Sequence, residues 1–429
     1  MIANLGLPPK QSPLHRSYSS PDVHFSSLHT TQRRPRFSHR SSTLPLSPPS
    51  SSVRDPPVDV FLGGSCNPTT WRRDTAIPRL EEAGISYFNP QVDEWHEGLI
   101  ALESRAKDTA TVVLFVIDNC TRAIVSMNEA AEFMCCGRRV LLVVQDMPLH
   151  EDVILEGSRL SSLEIADLND ARACLRHFTK DYPQTTLCAS VEEAVDILTS
   201  QLQLQLEDRP SSPFSLRSNR LRKRSSVILS QMKRKPDRFL QRSCSSSSII
   251  EYDDGGSSDD DSVPNDTTTV KKVYLGGNIT NTNWRATQAI PRLQAAGLPY
   301  YSPLGDFHYI PTAHGREERK MDKHMKIKAG LVLMVIPNTC RSIAAMIDTI
   351  ALVCSGRAVM LVVEPMTEGM IVEDGSAVYG REFKDLMRAR LYLEETAARH
   401  DICTFDSVAD AIDAIVSKAS SSAAHARNL

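Results

Sequence analysis

Residues 60–90 read VFLGGSCNPTTWRRDTAIPRLEEAGISYFNP, and residues 273–303 read VYLGGNITNTNWRATQAIPRLQAAGLPYYSP. Both stretches hold an apolar run, a glycine pair, a tryptophan–arginine pair and apolar residues at helical spacing. The shared pairs are Gly63-Gly64 and Trp71-Arg72 in the first stretch, and Gly276-Gly277 and Trp284-Arg285 in the second. An apolar run closed by glycines and followed by helical periodicity predicts a strand, a tight turn and a helix. The chain therefore predicts the same strand–helix unit twice, and the places where the two copies differ are informative about chemistry.

The same alternation continues after each stretch. In the first copy we expect helices over 71–83, 99–107, 126–136, 164–180 and 191–203, and strands over 58–62, 85–88, 112–117, 140–144 and 185–188. The run LVLMVI at 331–336 matches VVLFVI at 112–117, and fully apolar strands are typical of parallel sheets covered on both faces. The sequence predicts an α/β protein with two tandem doubly wound, flavodoxin-like parallel sheets.

Composition divides the chain into segments. Residues 1–56 and 205–270 are rich in Ser, Pro and charged residues and poor in large apolar residues, so we expect both to be disordered. The predicted folded domains are 57–204 and 271–418, and 419–429 is a short tail. The 205–270 linker begins basic and ends acidic, which fits either a nuclear import signal or a solvated charge run.

Several classes of protein are disfavoured. No apolar run is long enough to cross a bilayer, and the N-terminus lacks the apolar centre of a signal peptide. The ten cysteines form no Cys-x-x-Cys pair, so we expect neither a zinc site nor a disulfide framework, and no cofactor. The net charge of −3 indicates no particular partner, and the absence of a basic, aromatic-rich domain disfavours nucleic acid. We expect a reducing compartment, the cytoplasm or the nucleus; an organelle transit peptide is the alternative for the Arg- and Ser-rich start.

The ligand crevice of an open parallel sheet lies beyond the carboxyl ends of its strands. Candidate residues there are Gly63, Gly64, Trp71, Arg72, Asn89, Asp93 and Asp118, with Gly276, Gly277, Trp284 and Arg285 in the second copy. The glycines suit a tight turn as well as a ligand. The tryptophan–arginine pair suits packing on the sheet edge as well as an anionic or aromatic ligand.

The arrangement Leu62-Gly63-Gly64, Asp118, Glu129 and Gly137 resembles the nucleoside 2-deoxyribosyltransferase superfamily. Its deoxyribosyltransferase-like branch is resembled more closely by the Trp71-Arg72 pair, Asn89-Pro90 and Asp93-x-Trp95. The resemblance implies a carboxylate that attacks the anomeric carbon and a second acid that assists the departing base. By this resemblance Glu129 would be the nucleophile, Asp118 the acid, and Glu103 a helper. The alternative for Glu129 is a structural glutamate in the first turn of a helix begun by Ser126.

The second copy departs from this pattern. Pro337 replaces Asp118 and cannot transfer a proton, and Asp348 replaces Glu129 with a shorter side chain. Misplacement by about 1 Å can reduce a rate on the order of 100-fold. We therefore expect the second copy to be inactive. Two hypotheses for the whole chain follow: a regulatory protein that keeps a nucleotide-like ligand site, or an N-glycosidase or transferase that uses Glu129. In either case the two copies are expected to pair as an intramolecular pseudo-dimer.

Short motifs outside the predicted domains suggest regulation. Residues 16–21, RSYSSP, resemble a docking motif for 14-3-3 proteins in which Ser19 is phosphorylated. Ser225 and Ser226 follow a basic run that suits a basophilic kinase.

Overall fold

A computed structural model describes residues 58–427, apart from 93–97, 150–152, 156, 208–271, 279–281 and 304–312. The predicted tail 1–56, most of the predicted linker, Asp93 and the phosphorylation candidates Ser19, Ser225 and Ser226 lie outside the described residues. We refer to 58–207 as the first half and to 272–427 as the second half.

The first half folds around a five-stranded parallel sheet. Its strands are β1 (Val60–Gly64), β2 (Tyr87–Phe88), β3 (Val112–Ile117), β4 (Val140–Val144) and β7 (Thr185–Cys188). A short antiparallel hairpin adds β5 (Ile154–Leu155) and β6 (Ser158–Arg159). The helices are α1 (Ile77–Glu82), α2 (Gly98–Thr109), α3 (Ile124–Cys135), α4 (Ser162–Phe178) and α5 (Val191–Glu207).

The second half has the same plan. Its strands are β8 (Val273–Gly277), β9 (Tyr300–Tyr301), β10 (Leu331–Ile336), β11 (Val359–Val363) and β12 (Thr404–Phe405). Its helices are α6 (Ile290–Ala295), α7 (Ala313–Lys328), α8 (Ile343–Cys354), α9 (Gly380–Arg399) and α10 (Val408–Arg427).

The order of the strands confirms the predicted fold class. Within the described residues the sheets run β2-β1-β3-β4-β7 and β9-β8-β10-β11-β12, and all their pairings are parallel. This is the flavodoxin-like order, in which the chain moves to opposite sides of the first strand. The switch between β1 and β3 opens a crevice at the carboxyl ends of these strands.

A turn of π-helix precedes α1 and α6, where the sequence predicted a continuous helix. These turns are Arg72–Ala76 and Arg285–Ala289, and each is followed by a proline near the start of the α-helix. Proline has no N–H to donate to the preceding turn, so a wider turn is accommodated there.

Helix α3 also differs from the expectation. It begins at Ile124 after Ala123, whose φ of 55° is left-handed, rather than at Ser126. Glu129 therefore lies in the second turn of the helix, beyond the turn in which backbone N–H groups lack partners.

One face of each sheet contributes to a shared apolar core. Helix α3 contacts α8 and α9, α4 contacts α8, and the cluster joins buried side chains from both halves, among them Met127, Met134, Met346 and Ile350. The opposite faces of the sheets are covered separately, by α1 and α5 in the first half and by α6 and α10 in the second. We call the α3/α4–α8/α9 contact the seam.

Polar contacts fix the position of α3 in the seam. Glu132 accepts hydrogen bonds from Tyr392 at 2.6 Å and from Arg399 at 2.7 and 2.8 Å, and the Asn128 amide donates to the Ala389 carbonyl at 3.2 Å. Because α3 also carries Glu129, the second half determines how that helix is held.

Candidate active site and ligand crevice

The two glycine pairs are required by close packing between neighbouring strands. A Cβ on Gly64 would lie 2.3 Å from the carbonyl oxygen of Val116, and one on Gly277 would lie 2.0 Å from that of Val335. Gly64 and Gly277 also have φ values of 116° and 97°, which strain residues with a side chain. At Gly63 and Gly276 the space is filled by Phe115 and by Met334 and Tyr274. Strand packing therefore accounts for the glycines in both halves, and a ligand contact there stays a prediction.

Arg72 holds the loop that follows β1. The side chain is fully buried, and its guanidinium donates to the carbonyls of Leu62, Gly64 and Ser65 at 2.7–3.1 Å. Arg285 makes a corresponding contact with the Gly277 carbonyl at 3.2 Å and a second one with Pro303. Burial lowers the pKa of Arg72 to about 10, which still leaves it cationic at neutral pH. Its positive charge thus lies directly beneath the crevice.

The tryptophans differ between the halves. The Trp284 indole donates to the Asn278 carbonyl at 3.2 Å. The Trp71 indole stacks with the Arg72 guanidinium, 4.4 Å from the ring centroid, and its buried Nε1 has no partner among the described residues. A buried indole N–H without an acceptor is unfavourable. The Trp71 N–H is therefore available to a ligand, whereas the Trp284 N–H already donates to a backbone carbonyl.

Asp118 directly follows β3, as predicted. Its Oδ1 accepts from the Cys120 amide at 2.9 Å, whereas its buried Oδ2 has no partner among the described residues. The residue is 5% exposed, and burial raises its pKa above the ordinary value. Asp118 can therefore bind a donor group of a ligand, and its carboxyl is protonated more readily than a solvated aspartate.

Arg172 positions the backbone on either side of Asp118. It donates to the carbonyls of Asp118 and Thr121 at 3.0 and 3.1 Å, and Arg390 does the same for Pro337 and Cys340 at 2.7 and 2.8 Å. The Asp-Leu-x-x-Ala-Arg pattern that recurs in the sequence supplies both arginines. The side chain at the end of the third strand has changed between the halves while its backbone support has not.

Asn89 acts within its own turn, because its side-chain oxygen accepts from the Gln91 amide at 3.0 Å. Gln91 then ties this turn to the loop after β1 through the Cys66 carbonyl and the Thr69 carbonyl, the latter at 3.1 Å. Sequence reasoning missed Gln91, since a single glutamine after a strand carries no recognisable pattern.

Glu129 pairs with a lysine that the sequence analysis did not single out. Lys107 Nζ bridges Glu129 and Glu103, the latter at 2.7 Å. The three side chains are 15%, 18% and 33% exposed for Glu129, Lys107 and Glu103. Burial raises the pKa of Glu129, while for Lys107 the two carboxylates outweigh burial and raise its pKa. We call Glu103, Lys107 and Glu129 the first triad.

The second half contains a matching arrangement. Lys326 Nζ bridges Asp322 and Asp348 at 2.7 and 2.6 Å, and we call these residues the second triad. The Tyr274 hydroxyl donates to Asp322, which is only 4% exposed, so the Asp322 end of the second triad is buried. The residue that matches Tyr274 is Phe61, which has no hydroxyl group, and the two triads differ in exposure mainly at Glu103 and Asp322, whereas Glu129 and Asp348 are almost equally buried.

Cys66 connects the two ends of the first-half site. Burial raises the pKa of its thiol, and the charges that act on it are those of Arg72 and the first triad. Arg72 in turn interacts with Asp118. On the Asp118 side the contact is direct, because the Thr121 hydroxyl donates to the Ser65 hydroxyl oxygen in the loop after β1 at 2.9 Å.

Residues 57–147 match the model of the family described as nucleoside 2-deoxyribosyltransferase like. This deoxyribosyltransferase-like segment runs from β1 to the end of β4 and contains Asp118, Glu129 and the first triad. No curated protein and no solved structure matches the chain. The family match therefore rests on the first half.

Two further properties concern the described residues as a whole. None of their helices is long and apolar enough to span a membrane. Nor do they bring together three or more His, Cys, Asp or Glu side chains in a geometry that would hold a metal ion.

Proposed function

We propose that this chain is a regulatory protein built on a deoxyribosyltransferase-like scaffold, in which the first half binds a nucleotide-like ligand and glycosyl transfer is weak or lost. The two halves are proposed to be copies of one fold that pair as an intramolecular pseudo-dimer through the seam.

The observation that carries this proposal is the presence of an acid–lysine–acid triad in both halves. The second triad occurs where Pro337 has replaced the acid at the end of the third strand, so proton transfer from that position is absent. The second triad is kept although the acid at the end of the third strand is missing, and a structural role explains this. Its ion pairs join α7 to α8 and are largely buried. Glu129 has the same role between α2 and α3, and a carboxylate held by a lysine is a weaker nucleophile than a free one.

Ligand binding is supported by the unpartnered atoms of the crevice. Asp118 Oδ2 accepts and Trp71 Nε1 donates, both are buried, and Arg72 lies close by with a positive charge. Heterocyclic bases present both donors and acceptors, and phosphates suit a cationic site. A nucleoside monophosphate combines these features.

Thermal unfolding tests binding directly. A ligand at 100 times its Kd stabilises the folded state by about 2.7 kcal/mol. We expect nucleoside monophosphates to raise the unfolding temperature of the wild-type protein and to have little effect on Asp118→Asn or Trp71→Phe. Asp322→Asn, in the second triad, is the control that should keep the response. A response that is equal in all four proteins would contradict the assignment of the crevice.

The alternative function is an N-glycosidase or transferase that uses Glu129. Two observations favour it: the first half keeps both carboxyl groups, and burial raises the pKa of Asp118 above its ordinary value, in the direction that suits an acid catalyst. In such an enzyme Lys107 would hold Glu129 in position.

Base release separates the two functions. The wild-type protein, Glu129→Gln and the matched control Asp348→Asn are incubated with deoxynucleosides, their monophosphates and NAD, and free base is measured by chromatography. The regulatory proposal predicts equal background release from all three proteins. Release that falls by 100-fold or more in Glu129→Gln, but not in Asp348→Asn, would replace it with the enzymatic alternative.

The flanking sequences supply the regulatory part of the proposal. Two such halves with Ser-rich flanks resemble the animal developmental protein Raw, and phosphorylation of Ser19 would create a 14-3-3 docking site. Ser225 and Ser226 are further candidate sites in the linker. The proposed location is the cytoplasm, with entry into the nucleus if the basic part of the linker acts as an import signal.

A further inference from the structure

Helix α7 presents an exposed face that mixes cationic and apolar side chains. Within residues 321–328, Asp322 is buried, and Met325 and Lys326 are half-buried. The exposed positions follow one another around the opposite side of the helix, because residues three, four and seven apart share a face. We call the following residues the α7 face: Met321, Lys323, His324, Ile327 and Lys328.

Two apolar side chains of the α7 face are largely open to solvent. Met321 is 55% exposed and Ile327 is 56% exposed. Single exposed apolar residues are ordinary on a protein surface, whereas apolar side chains grouped on one face and rimmed by charges are typical of a contact site. The α7 face therefore suits a partner that carries both carboxylates and apolar side chains.

The matching helix of the first half has a different surface. Four positions of the α7 face, Lys323, His324, Ile327 and Lys328, correspond to Ser104, Arg105, Asp108 and Thr109 of α2. The formal charge of these α2 positions is zero, while the α7 face has two lysines, one histidine and no carboxylate. The second triad does not require this change, since Asp322 and Lys326 lie on the other side of α7.

Part of the charge of the α7 face is already paired. Lys323 Nζ lies 2.7 Å from Asp181 Oδ1 of the first half. This one carboxylate does not balance both lysines, so the α7 face keeps a net positive charge.

The chain that precedes β8 enters the second half beside α7. The Gly330 amide, two residues after the end of α7, donates to the Lys272 carbonyl at 3.0 Å. Residues 208–271 lie outside the described residues, so this hydrogen bond marks the place where the linker joins the second half. The last residues of the linker are thus attached next to the α7 face.

The end of the linker has the complementary chemistry. Residues 249–261 read IIEYDDGGSSDDD, with six carboxylates, no basic residue and three large apolar side chains. We call this stretch the acidic segment. Runs of like charge outside folded domains are often interaction segments, and opposite charges on two surfaces favour their encounter.

The length of the chain permits the contact. Ten residues, 262–271, separate the acidic segment from Lys272. A ten-residue chain reaches about 33 Å when extended and about 17 Å on average as a coil. Residues 321–328 span only about 10 Å along the helix axis. Such a short tether keeps the effective concentration on the order of millimolar, so that even a weak contact is populated.

We propose that the acidic segment binds the α7 face of the same chain. Its carboxylates pair with the lysines and the histidine of the face, and its apolar side chains cover Met321 and Ile327. The contact makes α7 a site occupied by the protein's own linker. It closes this surface to other acidic partners until the acidic segment is released.

Carbodiimide cross-linking of the full-length protein tests the proposal, because this reagent joins a carboxylate to a lysine that contacts it. A mixture of unlabelled and ¹⁵N-labelled protein is cross-linked, digested with trypsin and analysed by mass spectrometry. The acidic segment lies in peptide 243–271, and cross-linked Lys328 lies in peptide 327–341 because its own cleavage site is blocked. We expect these peptides to appear joined, one water lighter than their sum, with both from the same isotope.

Lys323 supplies an internal control, since its cross-link to Asp181 should form in every variant. Met321→Gln combined with Ile327→Gln removes the apolar contacts of the α7 face, keeps its lysines and adds no carboxylate. We expect this double variant to lower the yield of the Lys328 cross-link at least fivefold. Asp108→Asn, at the position of α2 that matches Ile327, should leave the yield unchanged.

Three results would overturn the proposal. The first is the absence of the joined peptide from a sample in which Lys323 is joined to Asp181. The second is a yield that the double variant does not change, because tethering alone would then explain the cross-link. The third is a joined peptide of mixed isotope, which would assign the α7 face to the acidic segment of a second copy.

Discussion

Replacing Lys107 by methionine is the most direct perturbation of the first triad. The change removes the cation between Glu103 and Glu129 and keeps the length of the side chain. Removal of one partner from a buried ion pair costs about 3–5 kcal/mol. Here Lys107 and Glu129 keep 18% and 15% of their exposure, and Glu129 can take up a proton, so we expect a loss of about 2 kcal/mol at pH 7.5.

The pH dependence of this loss has a definite sign. Burial already raises the pKa of Glu129, and removal of Lys107 raises it further, since Lys107 opposes that shift. The folded variant therefore binds a proton more tightly than the unfolded chain, and its stability falls as pH rises through the range between the two pKa values. The cost of Lys107→Met should be smaller at pH 5 than at pH 7.5.

Urea unfolding followed by circular dichroism measures these free energies. In a double-mutant cycle, Lys107→Met combined with Glu129→Gln should recover about half of the loss, because no buried charge is then left unpaired. Lys326→Met is the matched variant in the second half and should cost more, since Asp322 is nearly fully buried. A cost below about 0.5 kcal/mol for Lys107→Met, or no recovery in the double variant, would refute the view that the first triad joins α2 to α3.

Three other perturbations test separate parts of the molecule. Gly64→Ala places a methyl group 2.3 Å from the Val116 carbonyl oxygen and should cost about 3 kcal/mol or more in urea unfolding; Gly84→Ala, also left-handed but with open space around it, should cost about 1 kcal/mol. Burial raises the pKa of Asp167 to about 8, so the free energy of unfolding of the wild-type protein should fall between about pH 4 and pH 8. Asp167→Asn should remove this pH dependence and raise the free energy of unfolding by at least about 1 kcal/mol at pH 8.5. An unchanged pH dependence would contradict this assignment. Glu132→Ala removes the seam contacts with α9 and should cost about 2 kcal/mol, whereas a neutral effect in the same assay would show that apolar packing alone holds the seam.

Much of the fold could be predicted from local patterns. The strands Val112–Ile117, Val140–Val144 and Thr185–Cys188 have the predicted bounds, and the first two are apolar runs bounded by glycine or polar turns, which leave little choice of where a strand begins and ends. The hairpin Ile154–Leu155 with Ser158–Arg159 was missed, since two-residue strands have no periodicity to detect. Helices α5 and α10 continue to Glu207 and Arg427, beyond the predicted domain ends at 204 and 418.

Only part of the candidate site could be predicted from the sequence. Asp118 follows its strand where parallel-sheet topology places it, and Glu129 lies on the predicted helix. Lys107 was missed because a lysine four residues after a glutamate is the pattern of an ordinary exposed helix pair. Only the packing of α2 against α3 brings it to Glu129 and makes it a buried cation.

Apart from the hairpin β5–β6, the sequence by itself determined the order of strands and helices in both halves, the glycines at the ends of β1 and β8, and the difference between Asp118 and Pro337. These features depend on residues that are neighbours in the chain or that follow a simple period. The tertiary structure decided the rest: the pairing of Lys107 with Glu129, the hydrogen bond from Tyr274 to Asp322, and the packing of α3 and α4 on α8 and α9. An apolar stripe on a helix indicates that one face is buried but does not name the surface that buries it. In this protein α3 and α4 of the first half are buried against α8 and α9 of the second half. This contact joins the halves that contain the repeated stretches 60–90 and 273–303 into one structure.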